Sequence, residues 1–543
     1  MANEIILHGA KPRDPLDLGT AGIQLYRALT NFSFLREALI DAHTEEVVSY
    51  ADILENSCRL AKCYENYGLR QNSVISVCSE NSTIFFYPVI AALYMGVITA
   101  TVNDSYTERE LLETLNISKP ELVFCSKKAI KNMMALKRNV NFIKKVVLLD
   151  SKEDMGEAQC LSNFMARYSE PNLDVRNFKP RDFDAKEQVA LIMSSSGTTG
   201  LPKGVVLTHR NLSVRFVHCK DPLFGNRTIP STSILSIVPF HHAFGMFTTL
   251  SYFIVGLRVV LLKRFEEKFF LSTIEKYRIP TIVLAPPVMV FLAKSPLVDQ
   301  YDLSSIREVA TGGAPVGTEV AVAVAKRLKI GGILQGYGLT ETCCAVLITP
   351  HDDVKTGSTG RVAPYVQAKI VDLTTGKSLG PNKRGELCFK SEIIMKGYFN
   401  NKQATEEAID KEGWLHSGDV GYYDDDGHFF VVDRLKELIK YKGYQVAPAE
   451  LEWLLLQHPS IKDAGVTGVP DEAAGELPGA CIVLQEGKSL TEQEIIDYIA
   501  ERVSPTKRIR GGVVFVDDIP KGATGKLVRS ELRKLLAQKK SKL

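Results

Sequence analysis

No pair of cysteines stands at C-x-x-C spacing in this chain, and no cysteine–histidine group has the spacing of a zinc site. The ten cysteines are scattered, and the tightest neighbours are Cys343–Cys344 and Cys58 with Cys63. That usage predicts reduced, intracellular thiols acting as small apolar side chains. Charge of one sign is also missing, with 66 Lys and Arg against 63 Asp and Glu. The excess collects between Lys521 and Lys542, where eight basic residues face Glu531 alone. No long cationic stripe with interleaved aromatics exists, which excludes nucleic acid as a partner. The start, Met1-Ala2-Asn3-Glu4, lacks the basic segment of a secretory signal. Uncharged runs are few. Ile84–Val102 contains Pro88, Gly96, Thr99 and Thr101, and reads as a buried helix ending near Gly96 followed by a core strand, Val97–Val102. Ile234–Leu257 is broken by Pro239 and His241-His242. Neither is expected to span a membrane. No period of 20–50 residues repeats, so a solenoid is excluded.

What remains is an ordinary globular composition, 45% hydrophobic and 24% charged over 543 residues, enough for several domains. Short β-branched runs alternate with amphipathic windows from Val47 to about Phe430. Strands are predicted at Val74–Cys78, Leu122–Phe124, Lys145–Leu149, Arg258–Leu262 and Thr281–Ala285, and helices at Glu108–Leu115, Glu267–Tyr277 and Glu319–Leu328. The alternation predicts an α/β fold with mainly parallel sheets covered by helices. From about Val362 the runs Gln367–Val371, Arg384–Lys390 and Gly427–Val432 are separated by turn residues and predict an antiparallel β-subdomain. A charged junction, Asp433-Arg434-Leu435-Lys436, leads into a small α+β unit. The expected division is 1–433 for a large N-terminal domain, with its β-subdomain at about 362–433, and 434–543 for a mobile cap.

The segment Ser194-Ser195-Ser196-Gly197-Thr198-Thr199-Gly200-Leu201-Pro202-Lys203-Gly204 offers five hydroxyls, three glycines and a lysine behind a strand. Such a loop can wrap a polyphosphate with backbone and side-chain donors. It is not a Walker A loop, because Lys203 lies between Pro202 and Gly204. It resembles the phosphate loop of the adenylate-forming superfamily, which includes acyl-CoA synthetases, peptide-synthetase adenylation domains and beetle luciferases. Four further segments match in order: Gln335-Gly336-Tyr337-Gly338-Leu339-Thr340-Glu341, Trp414-Leu415-His416-Ser417-Gly418-Asp419, Asp433-Arg434-Leu435-Lys436 and Pro520 to Lys526. Phe240 to Leu250, Lys436 to Val446 and the final Ser541-Lys542-Leu543 resemble the beetle luciferases in particular.

The resemblance implies roles residue by residue. Ser195, Ser196, Gly197, Thr198, Thr199, Gly200 and Lys203 would hold the phosphates. Gly313, Ala314, Gln335, Gly336, Tyr337, Gly338 and Thr340 would receive the adenine side, and Asp419 and Arg434 the ribose. Glu341 would ligate Mg²⁺, a hard cation that takes few carboxylates beside phosphate oxygens. Arg215, His242, Phe244, Thr248, Ala310, Gly313, Leu339, Ala345 and Ile348 would line the slot for luciferin. Lys526, Lys440 and His242 would be catalytic. The implied activity is ATP- and Mg²⁺-dependent adenylation of luciferin, then oxidation by O₂ with light emission, without haem or flavin. The alternative is an acyl-CoA synthetase that passes the acyl group to CoA. Ser541-Lys542-Leu543 matches a peroxisomal address, so the expected location is the peroxisome and the expected partner its import receptor. Ala243, Leu334 and Cys344 depart from the common firefly pattern at the border of the inferred emitter site.

Overall fold

The computed structural model describes residues 4–12, 15–196, 202–225, 232–314, 316–442, 444–472, 474–522 and 527–540. Two large sheets dominate residues up to about 360. One has eight strands, in the order Gly397–Tyr398, Pro202–Thr208, Val189–Ser196, Ile98–Val102, Val74–Cys78, Leu122–Cys125, Lys145–Leu148 and Gln159–Cys160. The other has nine, running from Arg361–Val362 through Cys344–Ile348, Ile333–Leu339, Glu308–Gly312, Thr281–Leu284, Ser233–Ser236, Arg258–Leu261 and Leu39–Asp41 to Val47–Val48. Their centres are parallel, as the alternation of helix and strand requires. Antiparallel pairs occur at both edges of the second and at the Gly397–Tyr398 edge of the first, where the chain reverses without an intervening helix or a distant strand is added, whereas Gln159–Cys160 joins its edge in parallel.

The main core lies between these sheets, around helices with almost no polar face. Phe86–Met95 is buried at every position and stops at Gly96, which adopts φ 68. The chain then enters the buried strand Ile98–Val102. Helix, glycine stop and strand follow the order expected for the uncharged run Ile84–Val102. Among the described residues no helix is long and apolar enough to cross a membrane.

A third sheet is antiparallel throughout: Leu7–His8, Gln367–Val371, Gly385–Lys390, Leu415–Tyr423 and Phe429–Arg434. The expected junction begins later than its charge pattern suggests. Asp433 and Arg434 still belong to this sheet, Arg434 pairing with Asp419, and the turn covers 435–438. The ladder hydrogen bonds to Leu415–Tyr423 outweigh the turn propensity of a charged tetrapeptide.

Residues from Ile439 onward form a separate sheet, Tyr444–Val446, Ile439–Tyr441, Gly475–Leu484 and Ile461–Asp471, with Val513–Phe515 pairing in parallel with the Ala480–Ile482 part of Gly475–Leu484. Helices Pro448–Leu456, Glu492–Ala500 and Arg529–Lys540 pack on it. This unit touches the large domain directly. Lys294 donates to the Leu456 carbonyl at 2.9 Å, and the Trp453 ring sits where a side chain on Gly317 would be.

Candidate active site

A cavity of about 870 Å³ opens where the C-terminal ends of both large sheets, the antiparallel sheet and the cap converge. That is the upper range for a small-molecule site, and the carboxyl ends of parallel strands are where ligands bind in open α/β sheets.

One end of the cavity is built from a hairpin. The strand Val189–Ser196 runs further than the sequence suggests, and Pro202–Thr208 returns antiparallel beside it. Ser194, Ser195 and Lys203 therefore lie on strands rather than in an open loop, with Ser195 opposite Lys203. Residues Gly197, Thr198, Thr199 and Gly200 lie outside the described residues, as does the side chain of Ser196. The Lys203 ammonium stands 4.9 Å from the centre of the Tyr398 ring. The Tyr398 hydroxyl donates to Glu341 at 2.8 Å. Burial, then the Glu341 charge, pushes the Tyr398 phenol far above its ordinary value, so it stays a donor.

The strand Ile333–Leu339 crosses beneath. A side chain on Gly338 would fall on the Cys344 carbonyl of the adjacent strand, so only glycine permits that pairing. Gln335, Gly336, Gly338, Leu339, Thr340 and Glu341 line the cavity, as does Gly313, which adopts φ 87. Tyr337 points the other way, and its hydroxyl donates to Asp419 at 2.6 Å. The other Asp419 oxygen is 3.4 Å from the Arg434 guanidinium. A carboxylate only 4% exposed is thus fixed between a neutral donor and a cation, at the mouth of the cavity.

The opposite end is mostly apolar. The helix Ala243–Val255 begins there, capped by the His242 imidazole, whose Nδ1 accepts from Phe244 N at 3.2 Å. A neutral ring then carries its proton on Nε2. The Thr248 hydroxyl bonds back to the Phe244 carbonyl at 2.6 Å. Arg215, His242, Phe244, Thr248, Ala310, Leu339, Ala345 and Ile348 all line the cavity, together with Ala243, Leu334 and Cys344. Burial pushes the adjoining His241 down to about 4.

Not every expected residue arrives. Ala314 and Tyr337 lie off the wall itself. Lys526 lies outside the described residues, although Gly522 and Leu527 on either side of it line the cavity. Lys440 does not reach the cavity: it is exposed on the strand Ile439–Tyr441, beside Glu476. The part of the cap and its turn that meets the cavity carries Leu435, Lys436, Gly522, Leu527 and Val528. His416, inside the matched segment from Trp414 to Asp419, is given no role of its own by the sequence, and Tyr398, Glu386, Tyr252 and Cys219, which like it line the cavity, are missed by sequence reasoning. No local pattern marks them; distant segments bring them in.

One cavity that joins a hairpin carrying Ser195 and Lys203, a braced carboxylate and, at its far end, an apolar slot suits an adenylate-forming enzyme. The chain belongs to the AMP-binding enzyme family, which matches residues 27–399, with the AMP-binding enzyme C-terminal domain at 450–526. Within that family it stands with the beetle luciferases. It is 54% identical over 545 residues to luciferin 4-monooxygenase of Photuris pensylvanica, with 100% of both chains covered. It is 58% identical to a natural red emitting luciferase from Phrixothrix hirtus, whose structure matches with a TM-score of 0.75 over 98% of this chain and 99% of that one. The 4-coumarate–CoA ligase of Vanilla planifolia is more distant, at 39% over 516 residues, covering 92% and 91%.

Proposed function

We propose that this chain is an ATP-dependent luciferin monooxygenase. The observation that carries the reading is the continuity of the cavity, which joins the hairpin with Lys203 and the braced Asp419 to the slot holding His242 and Phe244. ATP would lie with its ribose hydroxyls on Asp419 and its phosphates along Ser195 and Lys203. The luciferin carboxylate then faces the α-phosphate beside His242, at the amino end of the helix Ala243–Val255, where the backbone dipole favours negative charge. A carboxylate oxygen attacks the α-phosphorus, pyrophosphate leaves, and luciferyl adenylate forms. This chemistry needs positioning and charge neutralisation more than covalent catalysis.

Glu341, held by the hydroxyl of Tyr398, whose ring Lys203 approaches, fits Mg²⁺: one hard carboxylate, with phosphate oxygens completing the shell. Bound there, the ion would neutralise charge on the leaving pyrophosphate.

In the second stage the adenylate loses its C4 proton, and the carbanion reduces O₂. The peroxide displaces AMP to close a dioxetanone, which expels CO₂ and leaves excited oxyluciferin. An apolar slot shields that product from water. Lys440 is our candidate for the residue that takes up this step beside C4, once the cap has turned.

The test is light. Purified chain mixed with ATP, Mg²⁺, luciferin and air should emit. Darkness together with accumulation of an acyl-CoA when CoA and a carboxylic acid are supplied would assign it to the ligases instead. We also propose that Ser541-Lys542-Leu543 is a peroxisomal import address; these residues lie outside the described ones.

A further inference from the structure

At the rim of the cavity, two neighbouring strands of the antiparallel sheet assemble a group of donors that the adenylation reading does not use. Cys388 on Gly385–Lys390 is the register partner of His416 on Leu415–Tyr423. The Cys388 Sγ lies 3.5 Å from His416 Nδ1, and a Glu386 carboxylate oxygen lies 2.8 Å from the same nitrogen. The three donor atoms all fall within 4.8 Å of one another. Cys388 is buried, while Glu386 and His416 are partly open to the cavity.

Two of the three donors are also held from behind. The second Glu386 oxygen accepts from Gly418 N at 3.0 Å. The far nitrogen of His416, Nε2, faces an Asp410 oxygen at 3.5 Å. Asp410 is itself fixed, its other oxygen accepting from the backbone of Glu412 and of Trp414, both at 2.9 Å. A carboxylate on the outer nitrogen of an imidazole is the arrangement that orients a histidine toward a metal.

We infer that Glu386, Cys388 and His416 form a binding site for a thiophilic divalent cation, with zinc the best fit. Thiolate and imidazole together select zinc-like ions over Mg²⁺ and Ca²⁺, which prefer oxygen alone. Bonds of about 2.0–2.3 Å in tetrahedral geometry place donors roughly 3.3–3.8 Å apart. The sulfur–nitrogen distance already meets this, and the carboxylate needs only to relax outward from its present hydrogen bond. Three protein ligands leave the fourth position to water, on the cavity side. Binding forms metal–sulfur, metal–nitrogen and metal–oxygen bonds. It releases the thiol proton, and any proton on Nδ1, to solvent, with no change of oxidation state. A salt-bridged Glu386–His416–Asp410 row with an inert thiol is the competing arrangement.

Cobalt(II) distinguishes them, because a cobalt–thiolate bond gives a near-ultraviolet charge-transfer band that carboxylate and imidazole do not. Full-length protein, stripped with chelator and dialysed, should develop that band to one equivalent of Co²⁺ and lose it on adding one equivalent of Zn²⁺. Excess Mg²⁺ should leave it in place. Cys388→Ala should abolish the band, whereas Cys344→Ala, the partly exposed cysteine elsewhere in the cavity, should keep it. His416→Gln serves as a second variant near the surface, should Cys388→Ala fail to fold; it should weaken zinc binding by at least about 100-fold, and Asp410→Asn by about 10–100-fold. Absence of the band in the unmodified chain, its survival in Cys388→Ala, or unchanged zinc affinity in His416→Gln would each overturn the site.

Discussion

Tyr337 and Phe244 show how single side chains divide the cavity. Tyr337 takes no part in its wall, yet its hydroxyl holds one oxygen of Asp419 while Arg434 approaches the other. Tyr337→Phe removes a hydrogen bond to a charged acceptor, worth about 1.5–3 kcal/mol, part of which the nucleotide feels. The ATP KM should rise roughly tenfold and the luciferin KM should stay within about twofold, as steady-state kinetics with each substrate varied will show. Phe244 sits at the other end, on the first turn of the helix that His242 caps. Phe244→Ala removes a wall of the apolar slot and admits water. Luciferin KM should rise, emission should dim or redden, and ATP KM should barely move. Equal rises in both KM values would mean that this ring does not belong to the acceptor slot.

At the scale of elements, the phosphate hairpin and the cap behave differently. The hairpin is locked into the eight-stranded sheet by a long antiparallel ladder, so Ser195 and Lys203 are fixed together. The cap hangs on the 435–438 turn and meets the large domain where Lys294 donates to Leu456, where Trp453 covers Gly317, where Ala449 N donates to Asp433 at 3.0 Å, and in a small buried cluster of Val420, Leu438 and Ala447. Its strand end with Lys440 faces solvent, while the segments flanking Lys526 line the cavity. One rigid cap cannot present both lysines at once. Lys526→Ala should therefore fail with luciferin and ATP but still emit from synthetic luciferyl adenylate. Lys440→Ala should release pyrophosphate yet emit poorly from the supplied adenylate. Each loss should be about 10²–10³ in rate, the usual effect of one positioned charge. Single-turnover assays of the two stages separate the outcomes, and equal losses in both stages for both variants would point to a damaged cap.

Over the whole molecule, the large core imposes an acid limit. Burial pushes His209 down to about 3, and neither of its ring nitrogens has a hydrogen-bond partner among the described residues. Burial, with the Arg215 charge adding to it, does the same to His218, also to about 3. In the unfolded chain both would titrate near pH 6.5. Their folded values lie lower, so the unfolded state binds protons first. The stability they contribute is complete above about pH 6.5 and drains as pH falls toward 3. At pH 5 each costs about 2 kcal/mol. Thermal melts at pH 7 and pH 5 should show a smaller acid-induced drop in Tm for His209→Gln than for the unmodified chain; parallel drops would remove His209 from the account. Addressing also belongs to this scale. Deleting Ser541-Lys542-Leu543 should leave light emission unchanged and shift the protein from peroxisomes to cytosol, and unchanged punctate fluorescence would refute the address.

Much of this protein is legible along the chain because its determinants are local. Period-2 and period-3.6 apolar runs place Val74–Cys78, Gln367–Val371 and Glu267–Tyr277 at the bounds the structure has, since each segment's own side chains decide which face is buried. Hydroxyls, glycines and a lysine packed into the segment from Ser194 to Gly204 carry a family resemblance that is likewise read from adjacent residues. The edge reversals were not legible, because strand direction depends on which neighbour is reached. Nor was the placement of Lys440, which depends on the angle of the cap. The Tyr337–Asp419 pair and the Cys388–His416 pair join residues 82 and 28 positions apart. The sequence holds no cysteine–histidine spacing that would announce the latter. Only the register between two antiparallel strands brings that sulfur and that imidazole together, and register is settled by the packing of the whole sheet rather than by any residue within it.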